Sequence, residues 1–160
     1  MICDDEFFAN NINASIDDVV KQLPDLVPTF RFVLITSLDS TTDMKTDKMI
    51  EEASFPHRYL GDGVVFEGAV IPDLGKQDGF FAGFDEIWCS KQDILLPRPK
   101  EIHFVGPYTP EKPLNKALKD WMRGSQCTLG FGDGIGLNYI TTDKIVANLL
   151  EQYFTDASDQ

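Results

Sequence analysis

The chain has 160 residues, with 26 acidic side chains against 14 basic ones and a formal net charge of −12. Apolar residues make up 42% and charged ones 25%, which excludes a chain disordered by composition and leaves no run of about 20 apolar residues to cross a bilayer. A pI near 4.4 also excludes nucleic-acid phosphate as a direct partner, because each neutralised phosphate needs a basic side chain.

The predicted elements follow in chain order. Met1-Ile2-Cys3-Asp4-Asp5-Glu6 has no basic segment before an apolar run, so cytoplasmic residence is expected. Ser15 as N-cap, with Asp18 three residues on, opens a helix over 15–23 whose Ile16, Val19, Val20 and Leu23 form one apolar stripe. The β-branched and aromatic run 29–36 reads as a central strand covered on both faces. Residues 37–54 are polar and read as a loop or a short exposed helix. From 55 to 105, Gly and Pro recur at short intervals between the apolar runs 64–70, 80–89 and 102–105, the pattern of an antiparallel meander. Pro97 and Pro99 stiffen the connector around Arg98.

A helix over 113–123 is predicted, with Pro113 in its first turn and Gly124 as its stop. Two strands, 126–131 and 135–141, flank Asp133-Gly134, a dipeptide that favours two-residue hairpin turns. Thr141 or Thr142 caps a last helix over 142–153, in which Ile145, Val146, Leu149, Leu150 and Tyr153 share a face. Residues 155–160 read as a frayed tail. The pattern predicts a single α+β domain: a mainly antiparallel, twisted sheet of five to seven strands with about three helices packed largely on one face.

Chemistry is sparse along this chain. Cys3, Cys89 and Cys127 form no C-x-x-C pair and fit reduced thiols. The two histidines, His57 and His103, stand at no ligand spacing, and no H-E-x-x-H or G-x-S-x-G occurs, so no metal site, cofactor or catalytic residue is predicted. The one nucleophilic arrangement left open is a meeting of His103 with Cys89 or Cys127 in the fold. The glycines of Gly130-Phe131-Gly132-Asp133-Gly134-Ile135-Gly136 fall at every second residue, wrong for a phosphate loop, and suit a strand whose bare face lets a ring or helix approach.

Charge is uneven. Residues 1–80 hold 15 acidic and 6 basic side chains, a net −9, whereas 81–160 hold 11 and 8, a net −3. Lys112, Lys116, Lys119 and Arg123 lie along one stripe of the 113–123 helix, for which pairing with the acidic N-terminal half is the economical role. Around residue 85, carboxylates alternate with aromatics. These features lead to a non-catalytic acidic binding domain of the inhibitor or immunity type. It would occlude a basic protein through Glu67, Asp85 and Glu86, with Phe84 and Trp88 excluding water. The alternatives are a small-molecule enzyme or sensor lined by His103, Asp133, Asn138 and Tyr139 near the glycine-rich hairpin, and a structural accessory domain.

Overall fold

The structure is a computed structural model, and it describes residues 1–23, 26, 30–36, 48, 51, 55–76, 86–100, 109, 111–134 and 136–154. Its strands are β1 (Ile2–Cys3), β2 (Phe8–Ile12), β3 (Phe32–Thr36), β4 (His57–Leu60), β5 (Gly63–Glu67), β6 (Glu86–Ser90), β7 (Cys127–Gly134) and β8 (Gly136–Thr141). The helices are α1 (Ile16–Gln22), α2 (Ile71–Gly75), α3 (Lys116–Gly124) and α4 (Lys144–Tyr153). All eight strands join one antiparallel sheet in the order β1-β2-β8-β7-β6-β3-β5-β4. The α+β antiparallel class therefore holds, with more strands and helices than the sequence pattern indicated. Among the described residues no helix is long and apolar enough to cross a membrane.

The helices do not gather on one face. Alternation along each strand sends Val33, Ile35, Phe66, Ile87, Cys89 and Tyr139 to one side, where α1, α2 and α4 cover them, and Leu34, Val65, Trp88 and Ile140 to the other, where α3 lies. The sheet is thus the middle of three layers. β3, between β5 and β6, is the double-covered central strand that its run of β-branched and aromatic residues calls for.

Local chemistry explains most element ends. Ser15 and Asp18 close a reciprocal cap: the Ser15 hydroxyl accepts from Asp18 N at 3.2 Å and Ser15 N donates to the Asp18 carboxylate at 2.9 Å. α3 starts later than predicted. Asn115, accepting from Ala117 N at 2.8 Å, is its cap, so Pro113 lies before the helix rather than in its first turn. α4 is capped by Asp143, whose Oδ1 accepts from Ile145 N at 2.9 Å and Val146 N at 3.4 Å, because Thr141 already belongs to β8. The β7–β8 ladder runs on to Gly134 opposite Gly136, with φ +87° at Gly136, so Asp133 and Gly134 are ladder residues and not the turn pair.

The N-terminal strands were not foreseen. Asn10 and Asn11 are poor strand formers, and partners distant in sequence hold them. Asn10 Nδ2 donates to Glu151 Oε1 at 3.0 Å, and Asn11 Nδ2 donates to Asn138 Oδ1 at 2.5 Å. Glu151 also accepts from the Tyr139 hydroxyl at 2.7 Å, which ties α4 to β2 and β8.

Candidate functional site

Three regions carry unusual chemistry: the β6 strand, the glycine-rich β7, and the two outward helix faces of α3 and α4. At β6, the predicted contact residues turn inward. Trp88 is fully buried and its ring meets Trp121 of α3 edge-on, with centroids 4.6 Å apart at 81°. Glu86, two residues earlier on the same face, is 3% exposed. Its Oε2 lies 3.1 Å from Arg98 Nε, and both side chains are 5% exposed. The alternation of aromatic and carboxylate that suggests an interface here builds a core and a buried ion pair. Phe84 and Asp85 lie outside the described residues, and Glu67 is exposed at the end of β5.

Arg98 is the residue that sequence reading missed. Pro97-Arg98-Pro99 reads as a stiff spacer, yet a carboxylate buried in the strand that carries Trp88 needs a cation, and the rigid loop delivers one. Two carbonyls help define this loop: Arg98 Nη1 donates to Pro99 O at 3.1 Å, and Trp121 Nε1 donates to Leu96 O at 3.3 Å.

Glu86 belongs to a polar row. The registers place Asn11, Asn138, Gly132 and Glu86 side by side across four strands on the α3 face. Asn11 and Asn138 are buried, and Asn138 Nδ2 has no hydrogen-bond acceptor among the described residues. One step along the strands runs the apolar row of Ala9, Ile140, Gly130, Trp88, Leu34 and Val65. Gly130 is bare for a reason: a Cβ there would collide with Cε3 and Cζ3 of the Trp88 ring. At this one glycine of the ladder the missing side chain makes room for an aromatic ring.

Of the four residues of the alternative ligand site, the two whose side chains are described point to opposite sides of the sheet. Asn138 faces α3 while its neighbour Tyr139 faces α4, and both are wholly buried. His103 and the Asp133 side chain lie outside the described residues.

Two of the thiols are poor nucleophiles in this setting. Cys89 and Cys127 are buried, one on each face, and burial pushes Cys89 well up and Cys127 up to about 12. Cys3 is exposed. Among the described residues no three His, Cys, Asp or Glu side chains come together as a metal cage.

On α3 the basic stripe meets acids of its own chain. Lys119 Nζ donates to Asp4 at 2.6 Å, Arg123 Nε donates to Glu6 at 2.7 Å, and Arg123 Nη1 and Lys116 both reach Asp120. The Arg123 guanidinium also lies 5.2 Å from the centroid of the Phe7 ring. The Lys119 hydrogen bond holds the Asp4 carboxyl below its ordinary range, and the Glu6 hydrogen bond raises Arg123. The N-terminal segment is therefore a strap across α3. By contrast, no cation among the described residues comes within ion-pair reach of Asp5, Glu67 or Glu111, all exposed.

No protein-family model matches this chain, and neither the curated proteins nor the solved structures contain a significant match to it.

Proposed function

We propose that this is a binding domain that takes a basic protein partner on its acidic surface and acts by occlusion, in the manner of an inhibitor or immunity protein. One observation carries the reading: the α3 cations are matched within the chain, to Asp4, Glu6 and Asp120. The exposed Asp5, Glu67 and Glu111 have no described cation in ion-pair reach; Lys21, Arg31, Lys112 and Lys144 are likewise exposed without a described ion pair, and the net charge of −12 sets the balance toward acid. A surface of one sign speeds encounter with the opposite sign and rejects polyanions. The buried, high-pKa state of Cys89 and Cys127 supports contact rather than covalent chemistry. Three thiols outside any disulfide fit a reducing compartment such as the cytoplasm.

Glu86 and Trp88 support the surface from beneath and are not its contacts in this reading. The test is calorimetric titration with a lysine- and arginine-rich peptide at about 50 and 200 mM salt, values that straddle physiological screening. The affinity is expected to fall at least tenfold across that range, and further in the variant Asp5→Lys/Glu67→Lys/Glu111→Lys. Absence of binding at low salt, or an affinity indifferent to salt and to that variant, would overturn the proposal.

A further inference from the structure

The apolar stripe of α4 is wider than the core it packs on. Val146, Ala147 and Leu150 are buried, but Ile145 is 72% and Tyr153 54% exposed, with Leu149 half-buried between them. Residues 145, 149 and 153 are spaced by four and form a second apolar row beside the buried one. Together with Leu23, Leu26 and Phe30 across from it, that row walls a groove of about 500 Å³, within the size range of small-molecule sites. A helix that leaves large apolar side chains in water beside a concavity of this size marks a ligand site.

The polar groups at one end select the ligand. Lys91 and Asp143 sit there with Nζ and Oδ2 3.8 Å apart, beyond hydrogen-bond reach. Asp143 Oδ1 is engaged by Ile145 N and Val146 N at the start of α4, so its charge is offset by the helix it caps. Among the described residues Lys91 makes no closer ion pair, and it keeps its donors to give on a side chain 63% exposed and able to swing. The overall charge of −12 is screened over about 8 Å at physiological salt, so Lys91 and Asp143 set the field at this end of the groove, and Lys91 is the one that donates. The geometry points to an amphiphile: an unbranched apolar chain along Ile145, Leu149 and Tyr153, ending in a carboxylate that accepts from Lys91 Nζ.

Calorimetric titration with decanoate, octanoate, decanol and decylammonium, each below its aggregation threshold, tests this directly. Decanoate is expected to bind one to one. Octanoate, two methylenes shorter, should bind about fifteenfold more weakly, since each buried methylene is worth about fourfold. Decanol should bind about fivefold more weakly than decanoate, the upper range for one exposed ion pair, and decylammonium weakest. Lys91→Ala should bring decanoate to the level of decanol and leave decanol unchanged. Ile145→Asn, at a position already in water, should weaken both alike without touching the fold. Absence of saturable binding, equal binding of decanoate and decylammonium, or a Lys91→Ala variant that keeps the preference for the acid would each overturn the assignment.

Discussion

On one side of the sheet three helices spread over a continuous apolar layer that runs from Ile12 and Val19 to Leu150 and Phe154, and hydrogen bonds at Glu151 fasten the outermost helix to β2 and β8. On the other side α3 is the one helix among the described residues over a second layer, with Trp121 against Trp88, a buried Glu86–Arg98 pair beside it, and an ionic strap from Asp4 and Glu6 across its outer surface. Area secures the first face. The second has less apolar area to bury among the described residues and relies on matched charges, so it should answer to mutation, salt and pH in ways that the first does not.

The largest expected effect is at the buried pair. Arg98→Ala leaves the Glu86 carboxylate inside without its guanidinium and should cost about 3–5 kcal/mol in urea unfolding, whereas Glu86→Leu/Arg98→Met should recover most of that loss. A double variant no better than the single one would mean that the row from Asn11 to Glu86 needs its charge. Next comes Gly130→Ala, which drives a methyl into the Trp88 ring at a wholly buried position and should cost about 1–3 kcal/mol. On the other face, Asp143→Ala removes the α4 cap and should cost about 1 kcal/mol.

How far the sequence foretells each face follows the same division. Elements that rest on local signals are legible: the Ser15–Asp18 cap, the apolar stripe of α1 and the central β3; of the predicted basic stripe, Lys119 and Arg123 pair with the acidic N-terminal half, whereas Lys116 pairs with Asp120 in its own helix and Lys112 has no ion pair among the described residues. Close approach to the glycine-rich strand is legible in the same way at Gly130, where the Trp88 ring takes the place of a side chain. What escapes is set by distant partners. β2 holds two asparagines that only Glu151 and Asn138 make tolerable, and Glu86 turns inward only because Arg98 returns to meet it. α4 looks uniformly buried from its spacing, and nothing local tells that Ile145 and Tyr153 lie beyond the edge of the core. The predicted helix or loop at 37–54, except for positions 48 and 51, lies outside the described residues, as do the apolar run 102–105 and the tail 155–160.

Smaller effects separate the faces further. Cys89 lies under the helices α1, α2 and α4 and Cys127 under α3, so each thiol reports the opening of its own face. With an aromatic disulfide reagent near pH 8, Cys3 should react at once and the other two only through opening. Added salt should speed Cys127 more than Cys89, because the shortest ion pairs between distant parts of the chain, Lys119–Asp4 and Arg123–Glu6, lie across α3. An equal response of both would contradict the division between the faces. The smallest effect is Lys119→Ala, about 0.5 kcal/mol, as for an ion pair open to solvent. Because Asp4 titrates below its unfolded value, this contribution is present above about pH 4 and fades as the pH falls through the folded carboxyl's range. A Lys119→Ala variant should therefore match the parent protein at low pH and lag behind it at neutral pH.

The claim that acid is the working surface because the α3 cations are already matched is tested most directly by mapping a hexalysine peptide onto the protein through amide chemical shifts at low salt. The account predicts shifts centred on the amides of Asp5, Glu67 and Glu111, with those of Lys116 and Lys119 unmoved. Shifts centred on α3, or none at any residue, would contradict it.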